Sequence, residues 1–455
     1  MELTILKKRW QQQPEHVVLI HDNDAYTHAQ LLAMWECWDT KLLKCDLVPG
    51  TPVAIESDFG PKAITLMLAL MEHHAMIVPL SPHIKNREQL LGIAQASLVF
   101  NLSEGEEPSP LNPQSAGHPL YDRLIAQKSP GLVLFTSGST GEPKGAVHDL
   151  ERLMAKFLVP RKALRTMTFL LFDHIGGFNT LMHVLFNGGT LVTPTERTPE
   201  SVCHLIEAHR VELLPTSPTF LNLLLVSRAY ESHDLTSLKM ITYGTEPMPE
   251  STLQRLHQIL PPVTLKQTYG LSELGIMRTK SKSNDSLWVK IGGEDYQTKI
   301  VDGKLWIKAE SAMLGYLNAP SPFDEAGWFN TQDRVEVEGE YVRFLGRDSE
   351  IINVGGEKVY PAEVESILLE VEGVKDAWVY GVSNPLTGQV VAATVAVGGE
   401  HHHREFIKQL KTHCRQRLAK FKCPVKIELT ENTFENQRFK RNRSQRDGMV
   451  SYEIK

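Results

Sequence analysis

Apolar residues recur at helical spacing early in the chain: Leu31, Trp35, Trp38 and Leu42 share one face, and residues 64–74 supply a second helical stretch. Around them, residues 53–56 and 76–80 are apolar runs of strand length. Alternating strand and helix predicts a parallel sheet covered by helices. The scheme returns in the middle of the chain, where residues 169–172, 190–192 and 212–215 read as strands and residues 199–209 as a helix, so a second α/β unit is expected. Near residues 302–348 the pattern shortens to alternating segments such as 304–308 and 335–338, separated by glycine turns. That suits a small antiparallel element. Pro361 then opens a helix bearing Val364, Ile367 and Leu368, residues 377–382 and 390–397 read as strands, and Phe406, Leu410, Cys414 and Leu418 form a last helical stripe. The fold class expected is α/β: a large N-terminal domain of two α/β subdomains plus a small β element, followed by a small α+β C-terminal domain.

Composition narrows the partners. A chain of 455 residues exceeds what one hydrophobic core serves, and 42% hydrophobic with 22% charged residues is ordinary for a globular protein. A formal net charge of −6 gives no electrostatic footing for a nucleic acid or a membrane surface. A small-molecule partner is expected instead. The five cysteines (Cys37, Cys45, Cys203, Cys414, Cys423) form no CxxC pair, and their odd number suits reduced thiols. No apolar run reaches bilayer-spanning length, and residues 1–10 are too short an apolar stretch for a signal peptide; the expectation is cytoplasmic with no membrane span. Residues 401–403 are three consecutive histidines, but adjacent side chains point in different directions, so a polar loop is read there rather than a metal site.

The candidate chemistry starts at residues 134–148, LFTSGSTGEPKGAVH. Glycines let a backbone approach an anion closely, hydroxyls and N–H groups donate to phosphate oxygens, and Lys144 supplies charge. The run 132–135 reads as a buried strand delivering this loop to a sheet end, where α/β sheets bind ligands. The spacing is not that of the ordinary P-loop, because Gly145 and Ala146 follow Lys144 where that motif has Ser or Thr. The plain alternative is a solvated Gly/Ser turn.

Six segments then fall in one order: LFTSGSTGEPKG (134–145), FDHIGG (172–177), YGLSELG (269–275), LWIKAESAMLGYL (305–317), WFNTQDRV (328–335) and LGRDSEIINVGGEKVYPAEVE (345–365). In this the chain resembles the adenylate-forming superfamily of acyl- and aryl-CoA synthetases, nonribosomal-peptide adenylation domains and firefly luciferases, over nearly its whole length. The resemblance implies an N-terminal core (1–346), a hinge (347–350) at Ser349 and a mobile C-terminal domain (351–455). It implies ATP and Mg2+, an acyl-adenylate with release of pyrophosphate, and transfer to CoA or to the phosphopantetheine of an acyl carrier protein.

By the same resemblance, Thr136, Ser137, Gly138, Ser139, Thr140, Gly141 and Lys144 hold the outer phosphates, and Glu273 with Thr136 holds the metal. Tyr269 and Gly270 meet the adenine, with Tyr243, Gly244, Thr245 and Glu246 as the opposite wall; Ser272 lies near the α-phosphate. Asp333 and Arg347 take the ribose, and Lys440, followed by Arg443, is the catalytic lysine. Phe172, His174, Phe178 and Met277 are placed at the acyl pocket, with His174 as its gate. Gly355 and Gly356 line the thiol tunnel. The aromatics favour an aryl or medium-length acyl acid. The chain departs from the pattern at Phe439 and Gln332, each where glycine is usual, and at Ser272, where threonine is. Those at Phe439 and Gln332 motivate a second reading, a non-catalytic nucleotide-binding homologue; a P-loop kinase is disfavoured by the lysine spacing.

Overall fold

The computed structural model describes residues 3–45, 47–82, 84, 86–111, 117–137, 142–293, 295–398 and 403–434. Aliphatic runs buried on both faces build its first sheet, in which Leu98–Asn101, Pro52–Glu56, Met76–Leu80 and Gly131–Ser137 lie parallel. Antiparallel strands flank them: Ser109–Pro110 on one side, Pro143–Asp149 and then Gly315–Tyr316 on the other. The second sheet runs Thr264–Gln267, Met240–Tyr243, Leu213–Thr216, Arg165–Met167, Thr190–Thr193, Val17–His21, all parallel, and ends in the antiparallel Asp24–Thr27.

Helices His28–Lys44, Pro61–Glu72 and Ile175–Asn187 lie between the two sheets, their apolar residues in one cluster with Ile55, Ile77 and Leu132 of the first and Leu19 and Leu191 of the second. Residues 63–71 of the middle helix are all buried, as a helix enclosed on every side requires. The outer face of the second sheet carries helices Pro199–His209, Pro218–Ser227 and Glu250–Ile259 over Leu214, Ile241 and Leu265. Helices Arg87–Ala94 and Pro119–Gln127 cover the outer face of the first.

One strand pair was not foreseen and one expectation is corrected. Val17–His21 and Asp24–Thr27 cross to the second sheet, their turn made by Asp22 and Asn23 at φ 51° and 66°, the double left-handed geometry of a type I′ hairpin. Residues 169–172 are not a strand, for the ladder ends at Met167. They form a shelf on which Ile175–Asn187 lies so closely that a Cβ at Gly177 would stand 2.0 Å from the Leu171 carbonyl oxygen.

The antiparallel element is a six-stranded sheet from Thr279–Ser281 to Tyr341–Arg347. After the turn Asp348–Glu350, a terminal sheet built on the long hairpin Val374–Asn384 and Gly388–Val397 packs against helices Pro361–Leu368 and His403–Arg417. This unit touches the rest of the chain where Asn222 Nδ2 donates to Lys375 O (2.6 Å) and Ser251 Oγ donates to Ser366 O (3.0 Å). Among the described residues no helix is long and apolar enough to cross a membrane.

Candidate active site

The hydroxyl-rich loop joins Gly131–Ser137 to the antiparallel Pro143–Asp149, with Thr136 directly opposite Lys144. It is therefore mounted between two paired strands. Gly138, Ser139, Thr140 and Gly141 lie outside the described residues, as do Lys440, Phe439, Arg443, His401 and His402. The backbone of Ser137 pairs with Pro143. Asn318 clamps the second strand, accepting the Gly145 N–H (3.1 Å) and donating to the Pro143 carbonyl (2.9 Å).

Gly315–Tyr316 extends the sheet edge beside this hairpin and delivers Tyr316 to the lysine, whose Nζ lies 5.4 Å from the ring centre. The Tyr316 hydroxyl donates to Glu273 Oε1 at 2.6 Å. Burial, then the Glu273 charge, lifts this phenol well above its ordinary range, so it remains a donor. Glu273 occupies the bend between Gly270–Leu271 and Gly275–Ile276, pinned by the Met313 N–H on its carbonyl (2.8 Å). Thr136, Lys144, Glu273 and Tyr316 thus meet from three separate parts of the chain.

All four line a cavity of about 510 Å³ between the two sheets and the antiparallel element. Gly244, Thr245, Gly270, Ser272, Arg347 and Ser349 line it as well. Hydroxyls dominate the wall, with Thr216, Thr242, Thr268 and Thr331 adding to Thr136 and Ser272. Gly244 has to be glycine here, since a Cβ would come within 2.6 Å of Thr268 Oγ1 and 2.7 Å of its carbonyl. Beside Ser349, Asp348 is anchored by Arg334 Nε (2.5 Å) and Lys304 Nζ (3.0 Å).

Asp333 and Arg347 are register partners on adjacent strands, with Nε 3.7 Å from the carboxylate. Burial raises the Asp333 carboxyl above its usual range, while a 2.5 Å bond from the Tyr269 hydroxyl and the Arg347 charge pull it back. Tyr269 stacks on Phe344 at 4.5 Å and 15°. Tyr269 and Asp333 therefore stand behind the lining of the cavity in this arrangement. Gln332 holds φ +62°, the left-handed conformation that glycine takes freely, and Asp333 keeps its register opposite Arg347.

Several expected wall residues lie elsewhere. Strand alternation turns Tyr243 to the outer face, 1% exposed among the core residues of the second sheet. Glu246 accepts the Thr219 N–H (2.8 Å) and hydroxyl, serving the start of helix Pro218–Ser227. Phe172 packs edge-on against Phe59, Phe178 sits in the central cluster, and Met277 belongs to the core of the antiparallel element. The aromatic lining comes from Phe135, Phe329 and Tyr316 instead. His174 does line the cavity, and its Nδ1 also accepts the Gly176 N–H (3.0 Å) as the N-cap of Ile175–Asn187. Gly355 and Gly356 form the tip of the hairpin Ile352–Val354/Glu357–Val359, beside Thr387 and away from the cavity lining. Tyr316 was missed by role: its motif is visible in the sequence, but its closeness to Lys144 and Glu273 depends on a two-residue edge strand.

Comparison with known proteins adds the following. Residues 6–317 match the model of the AMP-binding enzyme family, and residues 363–440 match that of the AMP-binding enzyme C-terminal domain. Acyl-CoA synthetase 7 of Caenorhabditis elegans is 30% identical over 65% of this chain and 60% of its own length. The 2-succinylbenzoate–CoA ligase of Enterococcus faecalis is 25% identical over 93% of this chain and 94% of that protein. In fold, the anthranilate CoA ligase AuaEII, in complex with anthranoyl-AMP, superposes with a TM-score of 0.80 at 19% identity, covering 94% of this chain and 93% of that one. The matched region spans about three-fifths of the length of the curated relatives it matches first, 60–64% of each.

Proposed function

The chain belongs to the AMP-binding enzyme family, and on that premise we propose that it is an ATP-dependent carboxylic acid:thiol ligase, forming an acyl-adenylate with release of pyrophosphate and passing the acyl group to CoA. The observation that carries the reading is the meeting of Thr136, Lys144, Tyr316 and Glu273 at one cavity. Two anions, carboxylate and α-phosphate, have to approach each other, so the site needs cations, hydroxyl donors and a carboxylate able to hold a metal.

Lys144 supplies fixed charge to the outer phosphates, and Arg347 places a second cation by the sugar and α-phosphate. Glu273, Thr136 and Tyr316 offer only oxygen donors, a set that fits Mg2+; bound there, the ion neutralises phosphate charge. Asp333 takes the ribose hydroxyls once Tyr269 releases it. Ser272 and the backbone at Gly270 face the nucleotide, and His174 stands beside the acyl carboxylate. Lys440 is assigned as the cation that joins for adenylation and leaves when the C-terminal unit turns about Ser349, with Gly355 and Gly356 then opening to the thiol.

The test is ATP–pyrophosphate exchange across a panel of carboxylic acids, followed by acyl transfer with CoA and a holo-carrier protein in competition. Acid-dependent exchange and preferential loading of CoA are expected. Nucleotide binding with no exchange for any acid would favour the non-catalytic homologue.

A further inference from the structure

Away from the phosphate hairpin the cavity is walled by Asn179 and Thr180 of helix Ile175–Asn187, by Thr242 of strand Met240–Tyr243 and by Ile276. Beyond each of these walls the next position is basic. His183 lies one helical turn past Asn179 and Thr180, hence on the same helix face. Lys266 is the register partner of Thr242 on the neighbouring parallel strand, so the two share one face of the sheet. Lys156 donates from Nζ to the Ile276 carbonyl at 3.0 Å. Arg161 and Arg278 complete the group, both acting electrostatically on Lys156, with Arg161 acting also on His183 and Lys266. Among the described residues, Asp295 is the one carboxylate whose charge reaches Lys156 or Arg161.

Five basic side chains gathered in this way, with one acid acting on them among the described residues, are out of keeping with a chain of net charge −6. Burial, then the Arg161 and Arg278 guanidiniums, push Lys156 down to about 7, and burial with Arg161, Lys156 and Lys266 holds His183 at about 4. Cations crowded in a partly desolvated place repel one another until an anion arrives. A purely structural role explains Lys156, which tethers a carbonyl and lies over Phe157; it leaves Lys266, Arg161 and Arg278 unexplained. The last two are exposed, and Lys266 shares its sheet face with Thr242 of the cavity wall, so the basic group lies just beyond that wall.

We propose that the acid activated here carries a second carboxylate at the end remote from the reacting one, received by Lys156, His183, Lys266, Arg161 and Arg278. This rests on the ligase reading above and names its substrate class, a dicarboxylic acid of aryl or alkyl frame.

The experiment is pyrophosphate exchange with length-matched pairs of acids, one of each pair ending in a carboxylate and the other in a methyl group, using the full-length protein. The diacid should have a kcat/KM at least ten-fold higher. Lys266→Met and the exposed Arg278→Gln should each lower that ratio, chiefly through KM for the diacid, with an unchanged unfolding temperature showing that the variants are folded. If Lys266→Met unfolds, Arg278→Gln decides the matter alone. Exchange of equal efficiency for both members of every pair, or a diacid preference that both folded variants retain, overturns the proposal and leaves the ligase reading standing. Exchange with no acid at all overturns that reading and the proposal with it.

Discussion

Glu273 accepts the Tyr316 hydroxyl at 2.6 Å, so the carboxylate assigned to the metal is aimed by a side chain on a sheet edge. Glu273→Gln should keep the fold and lower pyrophosphate exchange by about 100-fold or more, as loss of one preorganised electrostatic group does. Tyr316→Phe should cost less, about ten-fold, and appear as a raised KM for Mg-ATP, because it loosens the carboxylate without removing it. Gln332 stands at φ +62°, where a side chain costs about 1 kcal/mol; Gln332→Gly should therefore raise the midpoint of thermal unfolding, and an unchanged or lower midpoint would count against strain there. His148 is wholly buried, and burial pushes it down to about 4 from 6.5. Below pH 6.5 the unfolded chain takes up a proton that the folded chain refuses, so stability falls between pH 6.5 and 4, by about 3 kcal/mol for that interval. His148→Leu should flatten part of this acid limb in urea unfolding followed against pH, the remainder belonging to groups such as His183.

At the scale of elements, helix Ile175–Asn187 depends on Gly177, whose missing Cβ lets it lie on the 170–171 backbone. Gly177→Ala should destabilise by about 3 kcal/mol or more, read from chemical denaturation, since the clash is with main chain that cannot rotate away. That shelf was not legible beforehand: residues 169–172 have the apolar run of a strand, and only the tertiary approach of a helix takes them out of the ladder. Helices were easier to read, because proline at the first turn, as in Pro199–His209 and Pro361–Leu368, marks their starts locally. The crossing of Val17–His21 to the second sheet was hidden for the opposite reason, its pairing with Thr190–Thr193 being remote in sequence. The site divides the same way. Thr136, Lys144 and Glu273 were visible because their motifs are short and continuous, whereas Tyr243, Phe172 and Phe178 were misplaced because a position near a motif does not say which face its side chain takes.

For the whole molecule, the C-terminal unit meets the core through Asn222 to Lys375 and the buried pair Ser251 and Ser366. Ser251→Arg should undock it, raising the radius of gyration in small-angle scattering and lowering adenylate formation; an unchanged radius would show that this contact does not hold the units together. The phosphate hairpin carries a different consequence. Because Thr136 and Lys144 sit face to face across two paired strands, their separation is fixed by interstrand spacing at about 5 Å between Cα atoms, whatever number of residues the turn contains. Strand pairing, rather than the turn between, thus presents the hydroxyl and the amine to one and the same ligand, so a change that loosens the ladder would part them.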